Sequence, residues 1–153
     1  MRKCILLFLL LFVAACATSP TGRRQLMLVS PEQAITASRS AYVQTLAPLK
    51  KSGKLDPSPQ ASERVRTITG RVIHQAVLLF PATADWQWDI RVIEDPETVN
   101  AWCMAGGKMA IYTGLLEKVQ PTDDELAQVL AHEISHAIAN HTAEKMSVAL
   151  ASQ

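Results

Sequence analysis

The sequence predicts an α+β fold, mostly helical, in which a small antiparallel sheet or hairpin lies beside one long helix. Three observations carry this prediction. Apolar residues recur at helical spacing along three stretches of the chain. From Trp86 to Val92, apolar and polar residues alternate, which is typical of a strand with one buried face. A Gly-Gly turn then separates two further segments that favour strands.

Residues 1–15 are typical of a lipoprotein signal peptide. A basic start precedes an apolar run from Cys4 to Val13, which is shorter than the roughly 20 residues that a membrane-spanning helix needs. The Val-Ala-Ala sequence that ends at Cys16 resembles a lipobox. We therefore predict cleavage before Cys16, with an ordinary secreted protein or an uncleaved anchor as the alternative.

Acylation of Cys16 would then anchor the chain, since several acyl chains together bind a membrane stably. Ala17 rather than Asp follows Cys16, which indicates the outer membrane and a chain that faces the periplasm. The turn-rich, polar segment 16–29 is predicted to be the lipid anchor and a flexible tether. Residues 30–153 are predicted to form the globular part, the N-terminal portion of a single domain.

The charge balance argues against a nucleic-acid partner, because the formal net charge is only +1. Three cysteines are present, of which Cys4 leaves with the signal peptide and Cys16 is acylated. Cys103 then has no partner for an internal disulfide, and we expect it to be a small buried side chain.

Two helices are predicted before the sheet. Ser30 and Pro31 begin the first, which ends near Gly53, and Ser58 and Pro59 begin the second, which ends before Pro81. The only histidine of this region, His74, lies opposite the apolar stripe of its helix and is expected to face solvent.

Strands are predicted over 86–92, over 99–104 and over 108–112, and a short helix over 115–119. Pro121 then precedes the long helix, where Thr122 and Glu125 form a capping box. Apolar residues cover nearly the whole circumference of this helix, which predicts that it is buried on all sides.

The long helix carries the motif H-E-x-x-H at residues 132–136. Two histidines four residues apart lie on one face of a helix, where both imidazoles can bind one Zn²⁺ ion. Glu133 lies about 100° around the helix from His132, at the edge of that face. We predict His132 and His136 as ligands of one zinc ion and Glu133 as the catalytic general base. The alternative is a pair of solvated histidines beside an ordinary surface glutamate.

A third ligand is harder to find in this chain. If the helix continues, His141 points about 140° away from His136 and cannot reach the same ion. Glu144 is two turns along and too distant. Neither residue is therefore predicted as a ligand, and His141 is expected to lie near a helix end or to contact water.

The motif helix also carries a resemblance, together with two upstream segments. Residues 100–102, 106–116 and 132–147 resemble peptidase family M48, most closely its bacterial periplasmic lipoprotein members. The resemblance implies a zincin-like fold of the gluzincin type and a zinc-dependent endopeptidase whose third ligand is a glutamate on a later helix. Because the chain ends seventeen residues after His136, we expect that ligand to lie outside a C-terminally truncated sequence.

The resemblance further implies an edge strand beside the active site that aligns a peptide by main-chain hydrogen bonds. The hairpin is the best candidate, with these substrate-binding residues: Gly106, Gly107, Lys108, Met109 and Ala110. The alternative is that Gly106 and Gly107 form only a tight turn.

The predicted function is thus a lipid-anchored zinc metalloendopeptidase. The resemblance implies that its substrates are proteins or peptides of the cell envelope, in protein quality control. Two alternatives stay open: a truncated, inactive fragment, and a chaperone-like binding lipoprotein. Apolar helix faces left without partners would favour assembly into an oligomer.

Overall fold

The computed structural model of the protein describes residues 16–20 and 22–152. The predicted signal peptide therefore lies outside the described residues. The described part is mostly helical with a small mixed sheet. Its elements are β1 (Cys16–Thr18), β2 (Arg24–Leu26), α1 (Pro31–Lys51), α2 (Pro59–Leu79), β3 (Asp89–Ile93), β4 (Ala101–Met104), β5 (Lys108–Tyr112), α3 (Asp123–Ile138) and α4 (His141–Ala151). A 3₁₀ turn (Pro81–Thr83) and a π-helical turn (Leu115–Val119) complete it.

The predicted starts of α1 and α2 are confirmed. The Ser30 hydroxyl accepts a hydrogen bond from the Gln33 amide, and the Gln33 side chain accepts one from the Ser30 amide. The Ser58 hydroxyl accepts from the Ala61 amide in the same way. These caps satisfy amides that have no partner within the helix, which is why a serine directly precedes each helix.

The sheet has three strands in the order β3-β5-β4. Strands β4 and β5 form the predicted antiparallel hairpin, but β3 pairs with β5 in parallel. The prediction of an antiparallel sheet is therefore wrong for β3. After β3, the chain forms β4 at the opposite edge of the sheet. It then returns as β5, which lies between β3 and β4.

Strand β3 begins at Asp89, three residues later than the alternating pattern predicts. The Trp86 amide donates to the Thr83 carbonyl, and the Trp88 indole nitrogen donates to the same carbonyl. Both indoles are half-buried against the main core. The alternation before Asp89 thus reflects two tryptophans that pack from a loop, and not strand pairing.

Helices cover both faces of the sheet. Helices α2 and α3 pack on one face, and α1 packs on the other, where Tyr42 donates a hydrogen bond to the Met109 carbonyl at 2.9 Å. The main core lies between the sheet, α2 and α3, and its fully buried members include Val65, Val92, Met109, Ile111, Leu126 and Leu130.

Helix α3 is buried on one side only. Leu126, Leu130, Ile134 and Ala137 face the core, while positions 128, 131, 132 and 135 are exposed. The prediction that α3 is buried on all sides is therefore wrong. Alanine occupies the exposed position 131, and a small apolar side chain there costs little in contact with water.

The described residues of segment 16–29 form a hairpin that packs on α4, and not the flexible tether that the sequence predicts. Strands β1 and β2 pair antiparallel, with Ala17 opposite Gln25. Met27 and Val29 pack beside buried Ala143 of α4. Within the described residues, none of the helices combines the length and the apolar character needed to cross a bilayer.

The Gly106-Gly107 turn yields a stability test. Both residues have φ of +76°, and a Cβ atom added to Gly107 would overlap the ring of Trp88. We expect Gly107→Ala to lower the free energy of unfolding by about 1–3 kcal/mol, because it combines backbone strain with overpacking. Urea unfolding followed by tryptophan fluorescence measures the change.

Gly70→Ala is the matched control, since Gly70 lies in the exposed face of α2 with open space around it. It should raise the free energy of unfolding by roughly 0.5–1 kcal/mol through helix propensity. Equal stability of the Gly107→Ala variant and the unchanged protein would contradict the turn geometry described above.

Candidate active site

Helix α3 presents the H-E-x-x-H motif in its last two turns. The predicted capping box is confirmed, with the Thr122 hydroxyl accepting from the Glu125 amide and the Glu125 carboxylate accepting from the Thr122 amide. The helix ends at Ile138, and Asn140 adopts a left-handed conformation with φ of 58°. Asparagine is one of the few residues that tolerate this conformation.

The break at Asn140 brings a third imidazole to the two of the motif. His132 Nε2 lies 3.0 Å from His136 Nε2, and His136 Nδ1 lies 2.7 Å from His141 Nδ1. The expectation that His141 points away from His136 is therefore wrong. It assumed that the helix continues, whereas α4 begins at His141 in a new direction.

The two Nε2 atoms of the motif fit one shared metal ion. Two nitrogens bound to Zn²⁺ at 2.0–2.1 Å in a tetrahedral shell are about 3.3 Å apart. The observed 3.0 Å between His132 Nε2 and His136 Nε2 is close to that spacing. Among residues 16–20 and 22–152, no three His, Cys, Asp or Glu side chains converge so as to hold a metal ion. The assignment of His132 and His136 as zinc ligands therefore stays a prediction, with which the distance between their Nε2 atoms agrees.

The motif borders a cleft of about 660 Å³, here called the motif cleft. It is lined by Arg23, Trp102, Cys103, Glu133, His136, His141, Thr142, Glu144, Lys145, Val148 and Ala149. Glu133 is half-buried in its wall, and His132 is not part of the lining. The cleft thus brings the predicted base and one predicted ligand beside strand β4.

Cys103 is buried and free, as predicted. Burial, followed by the nearby Glu133 carboxylate, raises the pKa of its thiol to about 12. A thiol with so high a pKa stays protonated at neutral pH and is a poor nucleophile. Cys103 therefore acts as an apolar wall of the cleft.

The hairpin residues predicted to bind substrate do not lie at a free edge. Lys108, Met109 and Ala110 belong to β5, which pairs with β3 on one side and with β4 on the other. Met109 and Ala110 are buried, and Gly106 and Gly107 form the turn. These residues therefore do not form the edge strand, because main-chain groups of a central strand already have partners. Their role as substrate-binding residues stays a prediction. The edge beside the motif is β4, whose Trp102 and Cys103 line the cleft.

The N-terminal hairpin supplies one wall of the motif cleft, which sequence reasoning missed. The Gln25 amide group donates to the Ala139 carbonyl at 2.8 Å and to the Glu144 carboxylate at 3.1 Å. Arg23 donates two hydrogen bonds to the same carboxylate, one of them at 2.8 Å. Arg23 and Glu144 are 121 positions apart, and neither stands in a recognisable motif, so no local signal indicated the pair.

Hydrogen bonds and burial determine the charges of Glu144 and His141 in the motif cleft. The hydrogen bonds from Arg23, followed by the one from Gln25, lower the pKa of Glu144 from 4.5 to about 2. Burial, followed by the neighbouring His136, lowers the pKa of His141 below its usual value. At neutral pH, therefore, Glu144 is ionised and His141 is a neutral imidazole that can accept a hydrogen bond.

A helix with two histidines and a glutamate in this pattern is typical of one class of metallopeptidases. The comparisons with known proteins agree with this class. The model of Peptidase family M48 matches residues 58–153, which is more than half of the chain. The chain therefore belongs to Peptidase family M48.

Individual relatives extend the likeness. The metalloendopeptidase OMA1, mitochondrial, of Bos taurus is 30% identical over 148 residues, or 94% of this chain and 27% of its own length. The mitochondrial metalloendopeptidase OMA1 of Schizosaccharomyces pombe is 39% identical over 71 residues, covering 46% of this chain and 20% of its own. The metalloprotease LoiP of Escherichia coli K12 is 40% identical over 52 residues, covering 34% of this chain and 20% of its own. No solved structure matches the chain.

The chain thus spans about a fifth to a quarter of the length of these relatives. The family match begins at residue 58, so the hairpin and α1 lie outside it. The alignment with the bovine protein covers nearly the whole chain and extends the likeness to that part.

The ion pair between Arg23 and Glu144 predicts a pH-dependent stability. A carboxylate whose pKa is lowered by folding stabilises the folded state above its usual pKa, and this contribution is lost as pH falls through the lowered pKa. We expect the difference in unfolding free energy between the unchanged protein and Glu144→Gln to be largest above pH 4.5 and to shrink toward pH 2. Urea unfolding at a series of pH values measures it.

Arg23→Gln should give the same pH profile, because it removes the other half of the pair. In the double variant the two effects should not add, as is usual for residues in direct contact. Additive effects, or a difference that is constant across this pH range, would show that the pair does not stabilise the fold.

Proposed function

We propose that this chain carries the metal-binding and proton-transferring part of a zinc metalloendopeptidase that hydrolyses peptide bonds in cell-envelope proteins. The observation that carries the proposal is the 3.0 Å spacing of His132 Nε2 and His136 Nε2, with Glu133 in the wall of the adjoining cleft. Membership of Peptidase family M48 supports a protease.

In this proposal His132 and His136 hold the zinc ion through their Nε2 atoms. When bound, zinc polarises the scissile carbonyl and makes a water molecule more acidic. Glu133 accepts a proton from the attacking water and returns it to the nitrogen of the leaving amine. The proton is thus conserved over the reaction, and the carboxylate ends in the state in which it began.

Strand β4 is the proposed binding edge for the substrate. It is one of the two outer strands of the sheet, and its residues Trp102 and Cys103 lie in the same cleft as Glu133. An extended peptide that pairs with β4 would bring a backbone carbonyl close to the motif through main-chain hydrogen bonds alone. Such binding depends little on the side chains of the substrate and suits an enzyme that cleaves unfolded or misassembled proteins.

The proposed location is the outer membrane, with acylated Cys16 as anchor and the chain facing the periplasm. The signal-like segment 1–15 and the Val-Ala-Ala-Cys sequence support it. Strand β1 begins at Cys16, and β2 contacts α4 through Gln25. Acylation would therefore hold the motif cleft close to the bilayer surface, where unassembled envelope proteins are found.

Exchange of the general base tests the chemistry. We expect Glu133→Gln to lower the rate of casein hydrolysis by about 100-fold or more, the usual contribution of a positioned base, while zinc content stays unchanged. His136→Ala should lose both zinc and activity. The purified chain is assayed for zinc by atomic absorption and for proteolysis with a fluorescent casein.

Two controls accompany these variants. Glu117→Gln makes the same chemical change at an exposed residue outside the cleft, and His74→Ala removes an exposed histidine of α2. Neither should change zinc content or activity. Peptide binding without hydrolysis, equal in the unchanged protein and in Glu133→Gln, would instead support a binding lipoprotein. Absence of both zinc and hydrolysis would mean that this chain is inactive alone.

Acylation gives a separate test of location. In Escherichia coli grown with radioactive palmitate, we expect the unchanged protein to be labelled and to sediment with the outer membrane. Cys16→Ser should abolish the label, because it removes the acylated thiol. Cys4→Ser, within the predicted signal peptide, is the matched control and should leave the label in place. Equal labelling of the Cys16→Ser variant would rule out Cys16 as the anchor.

A further inference from the structure

The two ring nitrogens of His136 face different partners. Nε2 points toward His132 Nε2 at 3.0 Å, and Nδ1 points toward His141 Nδ1 at 2.7 Å. His141 is outside the H-E-x-x-H motif, and its ring is tilted against that of His136 with 4.8 Å between the ring centroids. One nitrogen of His136 is thus available for a metal ion, and the other lies within hydrogen-bond distance of His141.

The chemistry of neutral imidazole decides what this contact does. Such a ring has one N–H group and one nitrogen with a free lone pair. A metal ligand must offer its lone pair, so binding through Nε2 requires that the proton of His136 sits on Nδ1. That N–H then needs an acceptor. His141 Nδ1, at 2.7 Å, is the acceptor that the structure provides.

We propose that His141 is a positioning residue, which accepts a hydrogen bond from His136 Nδ1–H and so keeps His136 Nε2 free for the metal. This inference rests on the proposed function. Histidines that bind metals usually donate their second nitrogen to such a partner, which fixes both the tautomer and the orientation of the ring. In this chain the partner is His141, the first residue of α4.

The same geometry argues against His141 as a ligand of the ion held by His132 and His136. Its Nδ1 faces the nitrogen of His136 that is turned away from His132. A ligand of that ion would have to approach the other side of the His136 ring.

The position of His141 is itself held from two sides. Asn140, with its left-handed conformation, starts α4 directly before His141. Gln25 donates to the Ala139 carbonyl at the end of α3, and Arg23 pairs with Glu144 one turn further along α4. The hairpin and the helix break therefore determine where the acceptor lies.

Two substitutions of His141 separate the hydrogen bond from packing. His141→Phe keeps a planar ring but has no acceptor. His141→Asn is smaller, but its Oδ1 occupies the same position along the side chain as Nδ1 of histidine. We expect His141→Phe to weaken zinc binding by about 10- to 100-fold, the usual loss when such a partner is removed, and His141→Asn to restore most of it. His74→Phe is the matched control and should bind zinc like the unchanged protein.

Zinc affinity is measured on the purified chain by competition with a chromophoric chelator. Equal affinity of the His141→Phe variant and the unchanged protein would overturn the proposal. So would equal weakening by His141→Phe and His141→Asn, because the loss would then come from packing or from a lost ligand. Circular dichroism of each variant confirms that helix content is retained.

A second measurement needs no metal. Long-range ¹⁵N–¹H NMR spectra of the metal-free chain, at a pH where the imidazoles are neutral, identify which nitrogen of each histidine carries the proton. We expect His136 to carry it on Nδ1 in the unchanged protein and in His141→Asn, and to show a mixture of tautomers in His141→Phe. A proton on His136 Nε2 in the unchanged protein would overturn the proposal.

The two measurements also distinguish this inference from the proposed function. If the unchanged chain binds no zinc, the proposed function fails for this chain. The NMR spectra still decide whether His141 fixes the tautomer of His136.

Discussion

The end of helix α3 at Ala139 and Asn140 is the constraint on which the rest of the site depends. A helix that continued would carry His141 around to the side away from His136. Instead, Asn140 turns the chain, and the buried Gln25 side chain donates to the Ala139 carbonyl that the helix leaves without a partner. An unsatisfied buried carbonyl would cost about 1–3 kcal/mol, so this one hydrogen bond matters for the break. The contact of His141 with His136 and the position of the cleft wall both depend on this break.

The parallel pairing of β3 and β5 decides which strand lies at the edge beside the site. Because β5 lies in the middle of the sheet, its main-chain groups have partners on both sides, and β4 becomes the edge next to α3. The side chains of β4 alternate between the core shared with α3 and the face covered by α1. The edge beside the motif is therefore held in place by buried Ala101 and Cys103 on one face and by partly buried Trp102 and Met104 on the other.

The ion pair between Arg23 and Glu144 contributes more to the relative orientation of the hairpin and α4 than to the free energy of unfolding. The Arg23 side chain is 51% exposed, and ion pairs of exposed side chains usually contribute little to stability. An arginine that donates two hydrogen bonds to one carboxylate nevertheless fixes the relative orientation of both groups. Together with the Val29 amide, which donates to the buried Ser147 hydroxyl at 2.9 Å, it holds the hairpin on α4.

The sequence by itself determined the local features. Capping serines and threonine, helical spacing and the Gly-Gly turn predicted α1, α2, α3 and the β4–β5 hairpin, because short-range sterics and hydrogen bonds decide these. The H-E-x-x-H spacing likewise placed His132 and His136 on one face of α3. Only the tertiary structure decided the parallel partner of β5, the docking of residues 23–29 on α4 and the contact of His141 with His136. Each of these joins groups through packing or hydrogen bonds formed after the chain changes direction, and no local periodicity records such contacts.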